Sequence, residues 1–332
     1  MKAENEWDGT YSGACAVWTD RSCRELDLEA FRQCVRNVLG AGSVGIGLAS
    51  LTMHNHCSLD EQVKLIRIAA DEVRGKVHIV ASSMCYSTWE HIEWAKRSVD
   101  AGADCILLPP PIYIMGYDPL KRDDPDLVVK HYTRFDREGI KFLVHGGPAP
   151  EGTSKMFPPT VKKVASECEN LVGWKIADRG NLTHFRLYVD ILREAEKKRG
   201  KHITALLAGE GTLVESYLNG ADGNTSGAGI WRAKEDNEIR NAVKRGDIAE
   251  AFAIQNRLRP VVDAMRSTDG GSGMHFSYKL IAWLLGKIPT AYERLPERGF
   301  SKETVERVRQ ALIKAGMKVV REAEEIPQSD DM

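Results

Sequence analysis

Short apolar runs alternate with longer amphipathic stretches from residue 14 to residue 231, with about 25 to 35 residues between the starts of most successive runs. Eight of these runs predict β-strands, at 14–18, 44–49, 77–81, 105–108, 141–145, 171–175, 203–208 and 223–226. Stretches with apolar residues three or four apart predict the helices between them, at 28–39, 59–73, 88–101, 127–138, 160–168, 185–197 and 213–218. Ser58 and Glu61 have the spacing of a capping box at the start of the second helix.

Near-continuous apolar strands joined by helices are typical of a parallel sheet that is covered on its faces. The count of eight favours an α/β fold, a closed (β/α)8 TIM barrel over residues 1–232. A doubly wound sheet is the alternative, but no Gly-x-Gly-x-x-Gly follows the first strand, so a dinucleotide-binding fold has no support.

The strand pattern stops after residue 232. Helices are predicted at 236–258, 260–265, 277–285 and 302–315, broken by Pro260, a glycine-rich loop and Pro289. We assign residues 233–320 to C-terminal helices packed on the barrel, and residues 321–332, which are acidic and poor in apolar side chains, to a frayed tail.

The composition restricts the partners of the chain. A formal net charge of -1 over 332 residues offers no electrostatic surface for nucleic acid or an anionic membrane, so a small-molecule substrate is expected. The seven cysteines are scattered and form no Cys-x-x-Cys pair, which favours a reducing cytoplasm over zinc or redox chemistry. The N-terminus lacks the apolar core of a signal peptide, and no apolar run approaches the ~18 residues of a membrane span.

Lys175 stands where the next apolar side chain of the predicted sixth strand is expected. Burial disfavours an ammonium ion, so a lysine at this position either finds a partner or loses its proton and becomes a nucleophilic amine. Schiff-base enzymes activate their lysine in this way. A lysine just beyond the strand end, with its amine in solvent, is the alternative interpretation.

Barrel enzymes carry their chemistry at the carboxyl ends of the strands. On this prediction those ends gather a lysine, a histidine, a carboxylate and several hydroxyls: Ser50, Thr52, Ser82, Ser83, Tyr113, His145, Lys175, Glu210, Asn224, Thr225 and Ser226. Packing alone does not explain such a set, which indicates a catalytic site.

With Lys175 on strand six, the chain resembles the dihydrodipicolinate synthase and N-acetylneuraminate lyase family of Schiff-base barrels. Four segments carry the resemblance: Val-Gly-Ile-Gly at 44–47 with Ser-Leu-Asp-Glu at 58–61, Ala-Gly-Ala-Asp at 101–104 leading into Pro109 and Pro110, Val-Gly-Trp-Lys at 172–175, and Asn-Gly-Ala-Asp-Gly at 219–223. Their order and spacing agree over residues 9–290. The resemblance implies an imine between Lys175 and a 2-oxo acid.

The chain departs from the family pattern at the site. The carboxylate-binding Gly-Thr-Thr-Gly-Glu is replaced by Ala-Ser-Leu-Thr-Met at 49–53, where the Ser50 hydroxyl and the Leu51 amide remain. The tyrosine on strand five that relays protons is replaced by His145, and the arginine after it has no counterpart at 149–152. Tyr113 lies one position away from the family's paired tyrosines. Histidine supports acid–base work at neutral pH, so we expect His145 to take over the proton transfer.

His54 and His56 form a His-x-His pair in the loop after strand two. Metal-dependent barrel hydrolases use such a pair after strand one, with further histidines on strands five and six, a pattern this chain lacks. We therefore expect no metal and no cofactor, and assign His54 to the distal end of the substrate.

The leading hypothesis is a carbon–carbon or carbon–oxygen lyase of the aldolase type that acts on pyruvate or a pyruvate-derived aldol. Lys175 and His145 are its predicted catalytic residues. Its predicted substrate-binding residues are Ser50, Leu51, His54, Tyr113, Glu210, Thr225 and Ser226. The alternatives are a dehydratase or hydratase-aldolase that uses the same imine, a metal-dependent hydrolase, and a non-catalytic binding module. The resemblance also implies a homo-oligomer, most simply a tetramer.

Overall fold

The eight strands of the protein form a closed parallel barrel in which each strand pairs with the next along the chain and the last pairs with the first. A computed structural model describes residues 6–48, 57–82, 85, 87–110, 125–146, 156–177, 180–266, 273–294 and 299–326. The strands are β1 (Thr10–Gly13), β2 (Gly45–Leu48), β3 (His78–Ala81), β4 (Cys105–Leu108), β5 (Phe142–His145), β6 (Leu171–Ile176), β7 (Thr204–Ala208) and β8 (Gly223–Ser226). The predicted (β/α)8 barrel is confirmed.

Eleven α-helices occur in the described parts of the chain. The first seven follow successive strands and surround the barrel: α1 (Leu28–Gly40), α2 (Leu59–Val73), α3 (Thr88–Asp100), α4 (Pro125–Asp136), α5 (Pro158–Glu167), α6 (Leu182–Arg199) and α7 (Leu213–Leu218). The C-terminal helices are α8 (Gly229–Arg245), α9 (Ile248–Arg266), α10 (Gly273–Leu284) and α11 (Lys302–Lys314).

The capping box predicted for α2 is present. Ser58 Oγ accepts a hydrogen bond from the Glu61 amide at 3.2 Å, and Glu61 Oε2 accepts one from the Ser58 amide at 2.7 Å. Two backbone donors at the helix start are thereby satisfied, which fixes where α2 begins.

The prediction for the first strand was wrong by four residues. The strand is Thr10–Gly13, whereas residues 14–18 run beyond its carboxyl end and form only a bridge from Trp18 to Leu26. Both segments are buried. The apolar rule failed because β1 carries the polar residues Thr10 and Ser12, and Ser12 Oγ shares a 2.8 Å hydrogen bond with Ser43 Oγ. An apolar run indicates that a segment is buried, and a segment can be buried without pairing as a β-strand.

The helix predicted at 236–258 is in fact two helices that meet at Gly246. Gly246 ends α8 in the left-handed conformation, at φ 81°, and the Asp247 side chain accepts from the Glu250 amide at the start of α9. The break predicted at Pro260 does not occur, since Pro260 lies inside α9. A proline removes one backbone hydrogen bond, and the burial of Val261 and Val262 beside it keeps the helix in place.

The amino end of the barrel is closed by side chains that point inward. Its interior cluster consists of Trp7, Tyr11, Val80, Cys105, Leu107, Leu143 and Leu206. Trp7 stacks on His78 with 4.0 Å between ring centroids, and its carbonyl accepts a 2.9 Å hydrogen bond from Tyr11 Oη. Because this end is filled, the carboxyl ends of the strands are where a barrel of this type has room for a site.

The predicted boundary between barrel and C-terminal helices, at 232/233, falls within α8. The predicted tail is described as far as residue 326. Within it, Ala323–Glu325 form a 3-10 turn in which Ala323 is buried, and Arg309 on α11 pairs with Glu322.

Candidate active site

Lys175 and His145 lie side by side at the carboxyl ends of neighbouring strands. They are register partners across β6 and β5, and both side chains are half-buried. Side chains alternate between the two faces of a strand, so His145 shares the inward face of β5 with Leu143, and Lys175 shares the inward face of β6 with Gly173. The two groups therefore face the same interior, directly above the apolar cluster.

Gly173 lies beneath Lys175 on β6, and its lack of a side chain lets the neighbouring strands approach closely. A Cβ at this position would lie 2.6 Å from Leu143 Cδ2 and 2.8 Å from the Thr204 carbonyl oxygen. Glycine lets these neighbours close in under the lysine.

The buried surroundings of Lys175 lower the pKa of its amine. Burial lowers the pKa of its amine to about 8, against the opposing effect of the Glu210 carboxylate. At pH 7 a group with that pKa is neutral in about one molecule in ten, whereas an unperturbed lysine is neutral in far fewer. Among the described residues, no side chain forms a hydrogen bond or ion pair with Lys175 Nζ. The amine is thus available to attack a carbonyl.

Glu210 follows the carboxyl end of β7 and is held there by two hydroxyl groups. Its side chain is 3% exposed. Ser226 Oγ donates to Glu210 Oε1 at 2.5 Å, and Tyr278 Oη on α10 donates to the same oxygen at 2.6 Å. The Ser226 hydroxyl also accepts from the Ala228 amide at 2.9 Å. The other oxygen, Oε2, is buried and has no hydrogen-bond partner within the described ranges.

A second buried layer supports this carboxylate from α8. Arg232 is fully buried, its Nε donates to Asp236 at 2.7 Å, and its Nη1 donates to the Glu210 backbone carbonyl at 3.4 Å. Burial raises the pKa of Asp236 to about 6, although Arg232 opposes the shift. Asn224 on β8 donates to the same carboxylate at 3.4 Å. Glu210 therefore sits on a fixed polar scaffold that joins β8 to α8 and α10.

The remaining predicted site residues divide into three groups. Thr225 on β8 is the register partner of Tyr11 on β1 and of Ala208 on β7. It is half-buried and lies on the inward face of the barrel. Ser226 lies on the other face of β8 and binds Glu210. The predicted positions Ser50, Leu51, His54 and Tyr113 lie outside the described residues, as does His56.

One group of potential metal ligands occurs in the described part of the chain, at the opposite end of the barrel. It comprises Asp8, His202 and Asp222. His202 Nε2 already bonds to Asp8 at 2.9 Å and Nδ1 to Glu196 at 3.0 Å. Burial opposes the charge, but these carboxylates raise the pKa of His202 to about 10. In this structure the group is therefore an ion-pair cluster.

Comparison with known proteins agrees with the barrel fold. A sequence model described as the Dihydrodipicolinate synthetase family matches residues 17–315 of the chain, which is nearly its whole length. The protein belongs to this family. The membership indicates an enzyme of the lyase class.

Individual members of the family show how far the similarity extends. The chain is 29% identical to a 4-hydroxy-tetrahydrodipicolinate synthase of Rhodopseudomonas palustris, over 96% of this chain and 99% of that one. A prophage protein of the same family from E. coli K12, solved in complex with pyruvate, superposes with a TM-score of 0.82 at 19% identity, covering 94% of this chain and 99% of that one. N-acetylneuraminate lyase from Fusobacterium nucleatum superposes with a TM-score of 0.78 at 20% identity, covering 95% and 100%.

Three residues of this family member's site were missed from the sequence. Arg232 and Asp236 have a detectable signal, since opposite charges four residues apart follow the apolar pair Ile230 and Trp231 at a helix start. Tyr278 has none, because it lies 68 residues from Glu210 on a separate helix. In the described parts of the chain, the helices lack an apolar stretch long enough to cross a bilayer.

Proposed function

We propose that the protein is a Schiff-base-forming lyase of the aldolase type that acts on a 2-oxo acid such as pyruvate or a pyruvate-derived aldol. The observation that carries the proposal is the pairing of Lys175 and His145 in register at the carboxyl end of the barrel. Imine chemistry requires a nucleophilic amine and a nearby acid–base group, and an amine of lowered pKa beside an imidazole provides both.

The proposed reaction begins with the neutral Lys175 amine adding to the ketone carbon of the substrate. The resulting carbinolamine loses water and leaves a protonated imine, which withdraws electrons from the neighbouring carbon. That carbon can then lose a proton or a carbon substituent. His145 moves the proton, and its position one strand from Lys175 supports this role.

The substrate class rests on the relatives and on the remaining predicted residues. A relative solved with pyruvate and another named for dihydrodipicolinate synthesis support a 2-oxo acid. We assign the carboxylate of this acid to the Ser50 hydroxyl and the Leu51 amide, the pocket wall to Thr225, and the distal end to His54 and Tyr113. A dehydratase or hydratase-aldolase is the nearest alternative, because the same imine serves both outcomes.

Borohydride trapping with a panel of 2-oxo acids, read by intact mass and peptide mapping, tests the proposal. We expect one adduct on Lys175 with pyruvate or a related acid, and none in Lys175→Arg. Lys287→Arg is the matched control, since burial also lowers the pKa of Lys287 but the Trp231 carbonyl holds its amine at 3.0 Å. The control should trap like the wild type.

The failure of every acid to trap on Lys175 would contradict the proposal. In that case stoichiometric zinc in the purified protein would favour the metal-dependent hydrolase, and the absence of both adduct and metal would favour a binding module. Where an adduct forms, NMR analysis of the products separates carbon–carbon cleavage from loss of water.

A further inference from the structure

Within the described residues, no lysine or arginine side chain forms an ion pair with the buried carboxylate of Glu210. Arg232, the nearest guanidinium on α8, pairs with Asp236 and reaches only the backbone carbonyl of Glu210. The donors that reach the side chain are the hydroxyls of Ser226 and Tyr278, which are neutral. The negative charge of Glu210 is therefore held in place without being cancelled.

Glu210 lies just beyond the carboxyl end of the strand that neighbours the lysine strand. Glu210 follows β7, and β7 pairs with β6 through the register of Lys175 with Leu206. Within the described residues, Glu210 is the one charged group with a resolved effect on Lys175. Below them, the interior cluster consists of apolar side chains whose polar atoms are the Trp7 indole nitrogen, the Tyr11 hydroxyl and the Cys105 thiol.

We propose that Glu210 is the fixed counter-charge of the protonated imine at Lys175, and that Tyr278, with Ser226, positions its carboxylate for this purpose. The inference rests on the proposed imine chemistry and adds a charge-stabilising group to it. A buried anion stabilises the cation that forms when the carbinolamine loses water, and it does so without reorganising. The charge that makes the imine an effective electron sink is thus maintained by the protein.

The atoms and charges balance in this step. The amine nitrogen forms a bond to the ketone carbon and gives up one of its two protons while the carbonyl oxygen takes up one, which leaves a neutral carbinolamine; one further proton on its hydroxyl group lets that group leave as water. The nitrogen lone pair completes the double bond, which leaves one positive charge on nitrogen opposite the negative charge of Glu210. Glu210 itself gains and loses no proton.

The Tyr278 hydroxyl is suited to donate a hydrogen bond to Glu210 at all times. Burial raises the pKa of Tyr278 well above its ordinary value, and the adjacent Glu210 carboxylate raises it further, so the phenol keeps its proton throughout the neutral range. Among the described residues, the charged and titratable groups around Glu210 include Lys175 on β6, Arg232 and Asp236 on α8, Arg266 on α9 beside Gly211, and Tyr278 on α10. Of these, Lys175 is the group whose charge changes during the proposed reaction.

The variant Glu210→Gln distinguishes a counter-charge from a purely structural role by the sign of its effects. Removing the carboxylate should lower the pKa of Lys175, because the one charge that opposes its deprotonation is gone. The rate at which trinitrobenzenesulfonate modifies Lys175 should therefore rise at pH 7, as followed by peptide mapping. Turnover should fall by about 10- to 100-fold, since the protonated imine loses its counter-charge.

Tyr278→Phe should change both quantities in the same directions by smaller factors, because Ser226 still holds the carboxylate. Tyr188→Phe is the matched control, since it removes another buried phenol hydroxyl, one that donates to the Met156 carbonyl away from Glu210. It should leave lysine modification and turnover unchanged. Thermal melting verifies that each variant folds, and if Glu210→Gln does not fold, Tyr278→Phe decides.

Unchanged or slower modification of Lys175 in a folded Glu210→Gln variant would overturn the inference, as would wild-type turnover. The modification assay requires no imine, so it tests the charge coupling independently of the reaction. If wild-type Lys175 traps no 2-oxo acid, the proposed function fails, and a rise in its modification rate in Glu210→Gln then shows the charge coupling alone.

Discussion

His145 is the residue at which we predict the clearest departure from the chemistry of the family, because the resemblance aligns it with the strand-five tyrosine. We expect His145→Ala to retain borohydride trapping at Lys175, because the amine and its surroundings are unchanged. Turnover should fall by about 10²- to 10⁴-fold, the range that a positioned acid–base group contributes. Steady-state kinetics together with intact mass measures both effects on one sample.

The matched control for this prediction is His78→Ala. His78 lies at the amino end of β3, where it stacks on Trp7 and its Nε2 lies 3.0 Å from the Glu6 carbonyl, so its loss should not reduce turnover. His145→Tyr restores the family residue with a phenol whose unperturbed pKa is about 10, and we expect only a partial recovery. Wild-type turnover in His145→Ala would show that this histidine is structural.

An ion-pair cluster centred on His202, just before β7, links several strands and a helix at the amino end of the barrel. His202 bonds to Asp8 ahead of β1 and to Glu196 on α6, while Arg193 on α6 pairs with Glu196 and with Asp222 ahead of β8. These contacts join three strand starts to one helix. Their contribution depends on the charge of His202.

The pH dependence of stability follows from that charge. The pKa of His202 is about 10 in the folded protein and near 6.5 when unfolded, so its stabilisation is fully present below about pH 6.5 and is lost as pH rises through about 10. We expect His202→Gln to lower the free energy of unfolding by ~1–2 kcal/mol at pH 6, because the cluster is partly exposed and screened. The difference should disappear near pH 10, as measured by urea unfolding.

His184→Gln provides the comparison for this prediction. His184 is an exposed histidine near the start of α6, and its replacement should leave the unfolding free energy the same at both pH values. An equal deficit for His202→Gln at pH 6 and pH 10 would argue that packing, rather than charge, is responsible.

At the scale of the whole molecule, the resemblance predicts a homo-oligomer, most simply a tetramer. Exposed apolar side chains such as Trp89, which is 63% exposed at the start of α3, are compatible with buried contacts between subunits. We expect light scattering at micromolar concentration to give about four times the chain mass of 36.9 kDa. A mass of one chain would contradict this prediction.

The sequence by itself determined the architecture and the place of Lys175 in it. The order of strands and helices depends on apolar periodicity, which is local and can be counted, and every strand except β1 lies within two residues of its predicted bounds. Lys175 was detectable because a charged side chain interrupts an apolar strand. His145 was placed at the carboxyl end of the neighbouring strand, and the structure brings it into register with Lys175.

Only the tertiary structure decided what surrounds these residues. β1 was misplaced because the barrel buries Thr10 and Ser12, whose hydroxyls no apolar pattern identifies. Glu210 appeared in the sequence as a strand-end carboxylate, but its donors Ser226 and Tyr278 come from β8 and α10, 16 and 68 residues further along the chain. Contacts of this length depend on how the helices pack against the barrel, and local periodicity carries no information about which polar groups will meet there.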